Sequence, residues 1–204
     1  MFDQFIIKRR FADGKDAWSL KRLHWYSKDS ISYINTFDDE DGEFRGVNRR
    51  ILMLLSAFHV SAPTLVYKHW LNGALHYLFD NFNPKYPLRA ADYLGYLESQ
   101  AQRFVFQRFL ALGKSASYYQ MIYGDFSILP QIVVNEQWRE MIQSKLCYGH
   151  IENNFVFNFL DYLLWVKERG KDKNSDQVIN FLSSPSEVRW SISHPSILWT
   201  VIKR

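Results

Sequence analysis

The residues best suited to chemistry fall into two groups: cations set among aromatic rings near the amino terminus, and a pair of histidines in the centre. Lys8, Arg9, Arg10, Lys21, Arg22 and Lys28 are interleaved with Phe11, Trp18, Trp25 and Tyr26. Cations grip a phosphate backbone and flat rings stack on bases, so this mixture is the composition of a nucleic-acid contact. The competing reading puts the rings in a core and the cations in water, and the usual burial of aromatic residues favours it. His69, His76 and Asp80 offer two imidazoles and a carboxylate, donors that can hold a metal ion. A helix, however, separates residues seven apart by about 10 Å along its axis at ~1.5 Å per residue, too far for one ion, so structural roles are expected.

Other candidates are weaker still. His59, just before Val60-Ser61-Ala62-Pro63, reads as a tether for the turn that follows. Asp92 and Glu98, six apart on a helix, face different ways and make no acid–base pair. The acidic run Asp38 to Glu43 lacks the 12-residue calcium-loop spacing with its closing glutamate, and reads as a solvated loop. There is no phosphate-binding glycine-rich loop, no H-E-x-x-H and no G-x-S-x-G.

The elements that must position these groups are mainly helical. Leu52 to Asp80, LMLLSAFHVSAPTLVYKHWLNGALHYLFD, holds two apolar helical patterns and a proline hinge. The run from Ile51 to Phe58 is apolar on nearly every face, as in a helix enclosed by others. After Pro63, Leu65, Trp70, Leu71, Ala74, Leu75, Leu78 and Phe79 recur at helical spacing and must bury that side. Asn81 to Pro87 is a connection. A third helix runs from about Ala90 to Leu112 with Gly113 as a stop, and Tyr118 to Ile122 adds a turn. Ile132 to Val134 reads as a short strand or extended linker. The last helix spans about Glu152 to Lys167 with Phe155, Phe159, Tyr162, Leu163 and Val166 on one face, before the charged loop Glu168 to Asp176.

The expected fold is therefore mainly α, a helical bundle built around the long hairpin, with a little β at the amino terminus. Residues 1–50 form a basic and aromatic segment packing on the bundle, and turn chemistry at Asp13-Gly14 leaves strand and helix both open there. Residues 51–168 form the helical domain and residues 169–204 a loop and tail.

Composition sets the outer limits. With 204 residues, 47% hydrophobic and 17% aromatic, the chain can bury a sizeable core. No apolar run reaches the ~18 residues of a membrane span, and the amino terminus places its charges after its apolar segment, the reverse of an export signal. These features point to a cytoplasmic protein. The single Cys147 excludes an internal disulfide framework and reads as a small buried hydrophobe. A formal charge of +4 and a pI near 9.1 are compatible with nucleic-acid contact without requiring it.

Four strings carry a resemblance in order along the chain: FDQFIIKRRFADGKDAWSLKRLHWYS, LMLLSAFHVSAPTLVYKHWLNGALHYLF, YLGYLESQAQRFVFQRFL and NNFVFNFLDYLLW. Together, over residues 1 to about 167, they resemble the middle of the GmrSD-type restriction endonuclease-like family, bacterial proteins that act against modified or invading DNA. The resemblance implies an amino-terminal ParB-like domain with a nucleotide-handling D-G-Q-Q-R type motif. It also implies a carboxy-terminal His-Asn-His nuclease whose motif resembles S-V-E-H-x-x-P-Q. Neither motif is in this sequence. The nucleotide and divalent metal of the family would belong to those domains, and no cofactor is expected here. The chain then reads as a truncated, catalytically inactive fragment of a DNA restriction (anti-phage defence) protein. The alternatives are a stand-alone nucleic-acid-binding or partner-binding helical module, or a subunit working in trans with a separately encoded nuclease or ParB-like subunit.

The tail suggests how the nuclease was lost. Where its motif should stand, the chain reads SSPSEVRWSISHPSILWTVIKR, in which His194 lacks the surrounding ligand set. Read from the third base of each codon, Trp190-Ser191-Ile192 yields Glu-His, and Trp199-Thr200 forces an Asp. Allowed codons for Ser186 through Val201 can then spell Arg-Ser-Ser-Val-Glu-His-Phe-Ser-Pro-Gln-His-Pro-Met-Asp-Gly. A frameshift near residues 175 to 185 is the expectation. The competing reading is an ordinary divergent tail, since codon degeneracy supplies much of the agreement. The gene sequence separates the two.

Overall fold

The apolar run from Ile51 to Phe58 becomes the axis of the molecule. The computed structural model describes residues 2–12, 15–37, 46–62, 68–83, 85–111, 113–124, 136–147, 150 and 152–168. Helices α1 (Phe2–Phe5), α2 (Val47–Ser61), α3 (His69–Asp80), α4 (Ala90–Arg103), α5 (Tyr118–Tyr123), α6 (Glu136–Lys145) and α7 (Phe155–Glu168) make it mainly α. Strands β1 (Lys8–Ala12), β2 (Lys15–Ser19), β3 (Lys21–Ser27) and β4 (Ser30–Asn35) supply the β structure near the amino terminus.

Helix α2 buries Ile51, Met53, Leu54, Leu55, Ala57 and Phe58, so apolar groups leave it in nearly every direction. It can satisfy them only by lying between neighbours, and it packs against α4 and α7. Phe58 is nearly parallel to both Trp70 of α3 and Phe155 of α7, with ring centroids 5.5 and 4.5 Å away. This stack joins α2 to α3 and to the last helix. Helix α4 continues into a π-helical turn over Phe104–Phe109, where the Leu110 amide donates to the Val105 carbonyl five residues back. Lys145 at the end of α6 donates to the Phe109 and Ala111 carbonyls, satisfying acceptors that the helix end leaves open. Helix α5 starts on a Ser117–Gln120 capping box.

The amino-terminal segment resolves into strands. β1 and β2 pair antiparallel with Lys8 opposite Ser19, and β3 and β4 pair antiparallel with Lys21 opposite Asn35, as two separate two-stranded sheets. Their root is part of the main core: Phe5, Ile6, Ile7, Leu20 and Phe37 are buried with the helices. The Tyr93 hydroxyl donates to the Phe5 carbonyl, and the Asn48 side chain accepts from the Phe37 amide and donates to the Leu20 carbonyl. The ribbons are thereby fixed at one end.

Several expectations change. Phe79 is 72% exposed and Leu163 is 41% exposed, because each lies at the edge of its helix's apolar arc and nothing in the described structure covers that edge. Cys147 is exposed just past the end of α6, with its thiol on the Gln143 carbonyl, instead of buried. Asp13-Gly14, the acidic run, Pro63, Leu65, Ile132 to Val134 and residues 169–204 lie outside the described residues.

Candidate nucleic-acid interface

Side chains alternate across a strand, so Lys21, Leu23 and Trp25 share one face of β3. The register places Asn35, Tyr33 and Ile31 opposite them on β4. In a half-buried hairpin such an apolar face would lie on the core. Here it meets water: Leu23 is 38% exposed, Trp25 61%, Ile31 53% and Tyr33 51%. The other face begins with Arg22 and His24, and after the irregularity between Trp25 and Ser27 it carries Tyr26, whose ring meets His24 edge-on at 4.6 Å. Two of the residues that make S-I-S-Y-I-N a strand, Ile31 and Tyr33, are thus spent on a face that meets solvent.

The neighbouring ribbon contributes charge to this face. On β1, Lys8 and Arg10 point one way, Arg9 and Phe11 the other. The Lys8 ammonium lies 4.9 Å from the centre of the Tyr33 ring, a cation–π contact that brings the cationic face of β1 to the aromatic face of β4. Lys8 also pairs with the exposed Asp3 carboxylate at 3.0 Å. Arg9 and Arg10 are exposed on β1, while Lys21 and Arg22 are half-buried at the start of β3. Five of the six cations singled out from the sequence therefore sit on two adjoining ribbons, and the sixth, Lys28, is exposed in the turn between β3 and β4. Of the rings named with them, Phe11, Trp25 and Tyr26 face solvent. Trp18 is withdrawn, half-buried with its ring 4.7 Å from that of His59.

The histidines have structural partners. Lys68 Nζ lies 3.4 Å from His59 Nδ1, and an ammonium can only donate, which fixes Nδ1 as the acceptor. Burial, and then Lys68, hold the His59 pKa below its ordinary value. His69 stacks on Tyr118 at 4.0 Å and His76 meets Tyr123 edge-on at 5.2 Å, so both join α3 to α5. Burial and Arg108 lower the His69 pKa. Asp92 faces Arg89 and Glu98 faces Arg50, confirming that they form no pair. Among the described residues no three metal-ligating side chains come together, and no helix is long and apolar enough to cross a membrane. A cavity of about 90 Å³ is walled mainly by aromatic rings, among them Phe58, Trp70, Phe104 and Phe155. Of its lining residues, Ser61 and Asn153 are already engaged with neighbouring chain.

Sequence reading missed Tyr33 and Ile31, although the alternation of S-I-S-Y-I was there to find them. It also missed the junction of Arg50, Glu98 and Tyr162, whose members come from α2, α4 and α7. Comparison with protein-family models, curated proteins and solved structures gave no match.

Proposed function

We propose that this chain is a nucleic-acid-binding scaffold whose two amino-terminal ribbons grip the ligand while the helical bundle holds them in place. In this reading it is the helical portion of a restriction-type defence protein of the GmrSD kind, and it carries no cleavage chemistry itself. One observation carries the proposal: a solvent-facing aromatic ribbon flanked by Lys8, Arg9, Arg10, Lys21 and Arg22. Binding should weaken with salt, and Lys8, Arg9 and Arg10 to Ala changes together should lower the log–log salt slope by ~0.7–0.9 for each phosphate deprived of its cation. Absence of binding at low salt would refute the reading. Purified protein given modified DNA, Mg²⁺ or Mn²⁺ and nucleotide should leave the DNA intact; metal-dependent cleavage that survives stringent purification would overturn the non-catalytic assignment.

A second reading is favoured by a different surface. Phe79, Phe82 and Tyr86 follow one another out of α3 with more than half of each exposed, and Tyr119 of α5 is 72% exposed. Such rings suit a protein partner, which fits a subunit working in trans with separately encoded nuclease or ParB-like domains. Co-purification with the product of a neighbouring gene, abolished by Phe79→Glu, would support it.

A further inference from the structure

Resting on the nucleic-acid reading above, we infer that the ribbons take single-stranded nucleic acid, with bases on the Trp25 and Tyr33 rings and phosphates on Lys8, Arg10 and Lys21. The chemistry of each face decides which part of a base it can meet. A ribbon that reads duplex DNA presents forked polar side chains to base edges in the major groove. The face formed by β3 and β4 instead presents Leu23, Trp25, Ile31 and Tyr33, with Lys21 and Asn35 only at its root. Apart from the indole N–H and phenol these groups have nothing to offer an edge, but rings of this kind match the flat faces of bases. Those faces are covered by stacking in a duplex and open in a single strand.

The placement of charge agrees. Trp25 and Tyr33 are diagonal neighbours across the two strands, a relation that sets residues about 7–8 Å apart, so two bases of one strand can reach them. Lys8 already touches the Tyr33 ring, and Arg10 shares its face of β1, so a base on Tyr33 has its phosphate beside a cation. This charge selects a polyanion over an uncharged protein strand. Asp3 competes for Lys8 at 3.0 Å and must be displaced when phosphate arrives.

The test uses the full chain and fluorescence anisotropy at low salt. The probes are a deoxythymidine strand, a uridine strand of the same length and a mixed-sequence duplex, each of about 20 units, longer than the ~4–16 nucleotides that one such surface covers. Either single strand should bind at least about tenfold tighter than the duplex, and the tighter of the two identifies the sugar. Trp25→Ala or Tyr33→Ala should each weaken strand binding by about 5- to 150-fold, while Trp25→Phe keeps most of it. Asp3→Asn should tighten it by up to about fivefold, since exposed ion pairs are weak competitors. These side chains are exposed, and an unchanged circular dichroism spectrum would establish that the variants fold. Duplex binding equal to or tighter than strand binding, or insensitivity to Trp25→Ala, would overturn this inference while leaving nucleic-acid binding in place. No binding by any probe would overturn both.

Discussion

Replacing Tyr162 by phenylalanine removes one oxygen from the point where α2, α4 and α7 are joined. The Tyr162 side chain is fully buried, its hydroxyl donates to Glu98 Oε1, and Arg50 Nε donates to that hydroxyl at 3.4 Å. Arg50 Nη2 also reaches Glu98 Oε1 directly at 2.5 Å. Burial, then the bond to Glu98, push the phenol pKa well above its ordinary value, so it stays protonated and keeps its donor role across the working pH range. The ring itself would stay in place, stacked on Phe159 and next to Trp165, so the loss is confined to the hydroxyl. A hydrogen bond to a charged acceptor contributes about 1.5–3 kcal/mol. Glu98 keeps Arg50 as a partner, and its side chain is 28% exposed, so water replaces part of that, leaving a net cost of about 1–2 kcal/mol. Urea unfolding should show a lower midpoint with unchanged slope. Combined with Glu98→Ala, the losses should fall short of additivity, because both variants break the same bond. A loss below about 0.5 kcal/mol, or full additivity, would mean that apolar packing alone holds the three helices together.

Two further perturbations probe the bundle. Burial holds the Asp161 carboxyl at about 6 against an ordinary 3.8, so between those values the folded chain keeps a proton that the unfolded chain has lost, and stability falls as pH rises through that window. Asp161→Asn should flatten the slope and add about 1–3 kcal/mol at neutral pH, discounted for the solvent that still reaches a half-buried residue; urea midpoints at pH 4, 5 and 7 that match those of the parent would refute it. Gly73→Ala places a methyl group 2.3 Å from Gln100 Nε2 and 2.8 Å from Tyr96 Oη, both on buried residues of α4. Crowding there should cost about 1–3 kcal/mol, outweighing the ~1 kcal/mol that alanine gains in a helix; a raised melting temperature would show that Gln100 moves aside freely.

How far the sequence disclosed this molecule depended on whether a signal was local. Helices α2, α3, α4 and α7 carry long apolar patterns, and those patterns must be buried wherever the chain goes. Periodicity defines an arc but not which edge of it is covered, which is why Phe79 and Leu163 face water while Trp70 and Tyr162 do not. Helix α6, E-Q-W-R-E-M-I-Q-S-K, carries only a one-turn apolar stripe, Trp138, Met141 and Ile142, in an otherwise polar segment. The π turn was hidden because F-V-F-Q-R-F is apolar at most positions, whatever the winding. At the interface the residue types were plain, but alternation does not say which face is covered, and nothing local distinguishes Trp18, turned to His59, from Trp25, turned to solvent. Arg50, Glu98 and Tyr162 meet only in three dimensions, 48 and 64 residues apart along the chain.

The proposed binding mode places nucleic acid on the ribbons and not on the helices. Ultraviolet crosslinking of the bound strand to the full chain, followed by peptide mass spectrometry, tests it directly. Adducts are expected at Trp25, Tyr26 or Tyr33 and should disappear as salt is raised. Adducts confined to the exposed rings of α3 and α5, such as Phe79 and Tyr119, with the ribbon peptides unmodified, would contradict it.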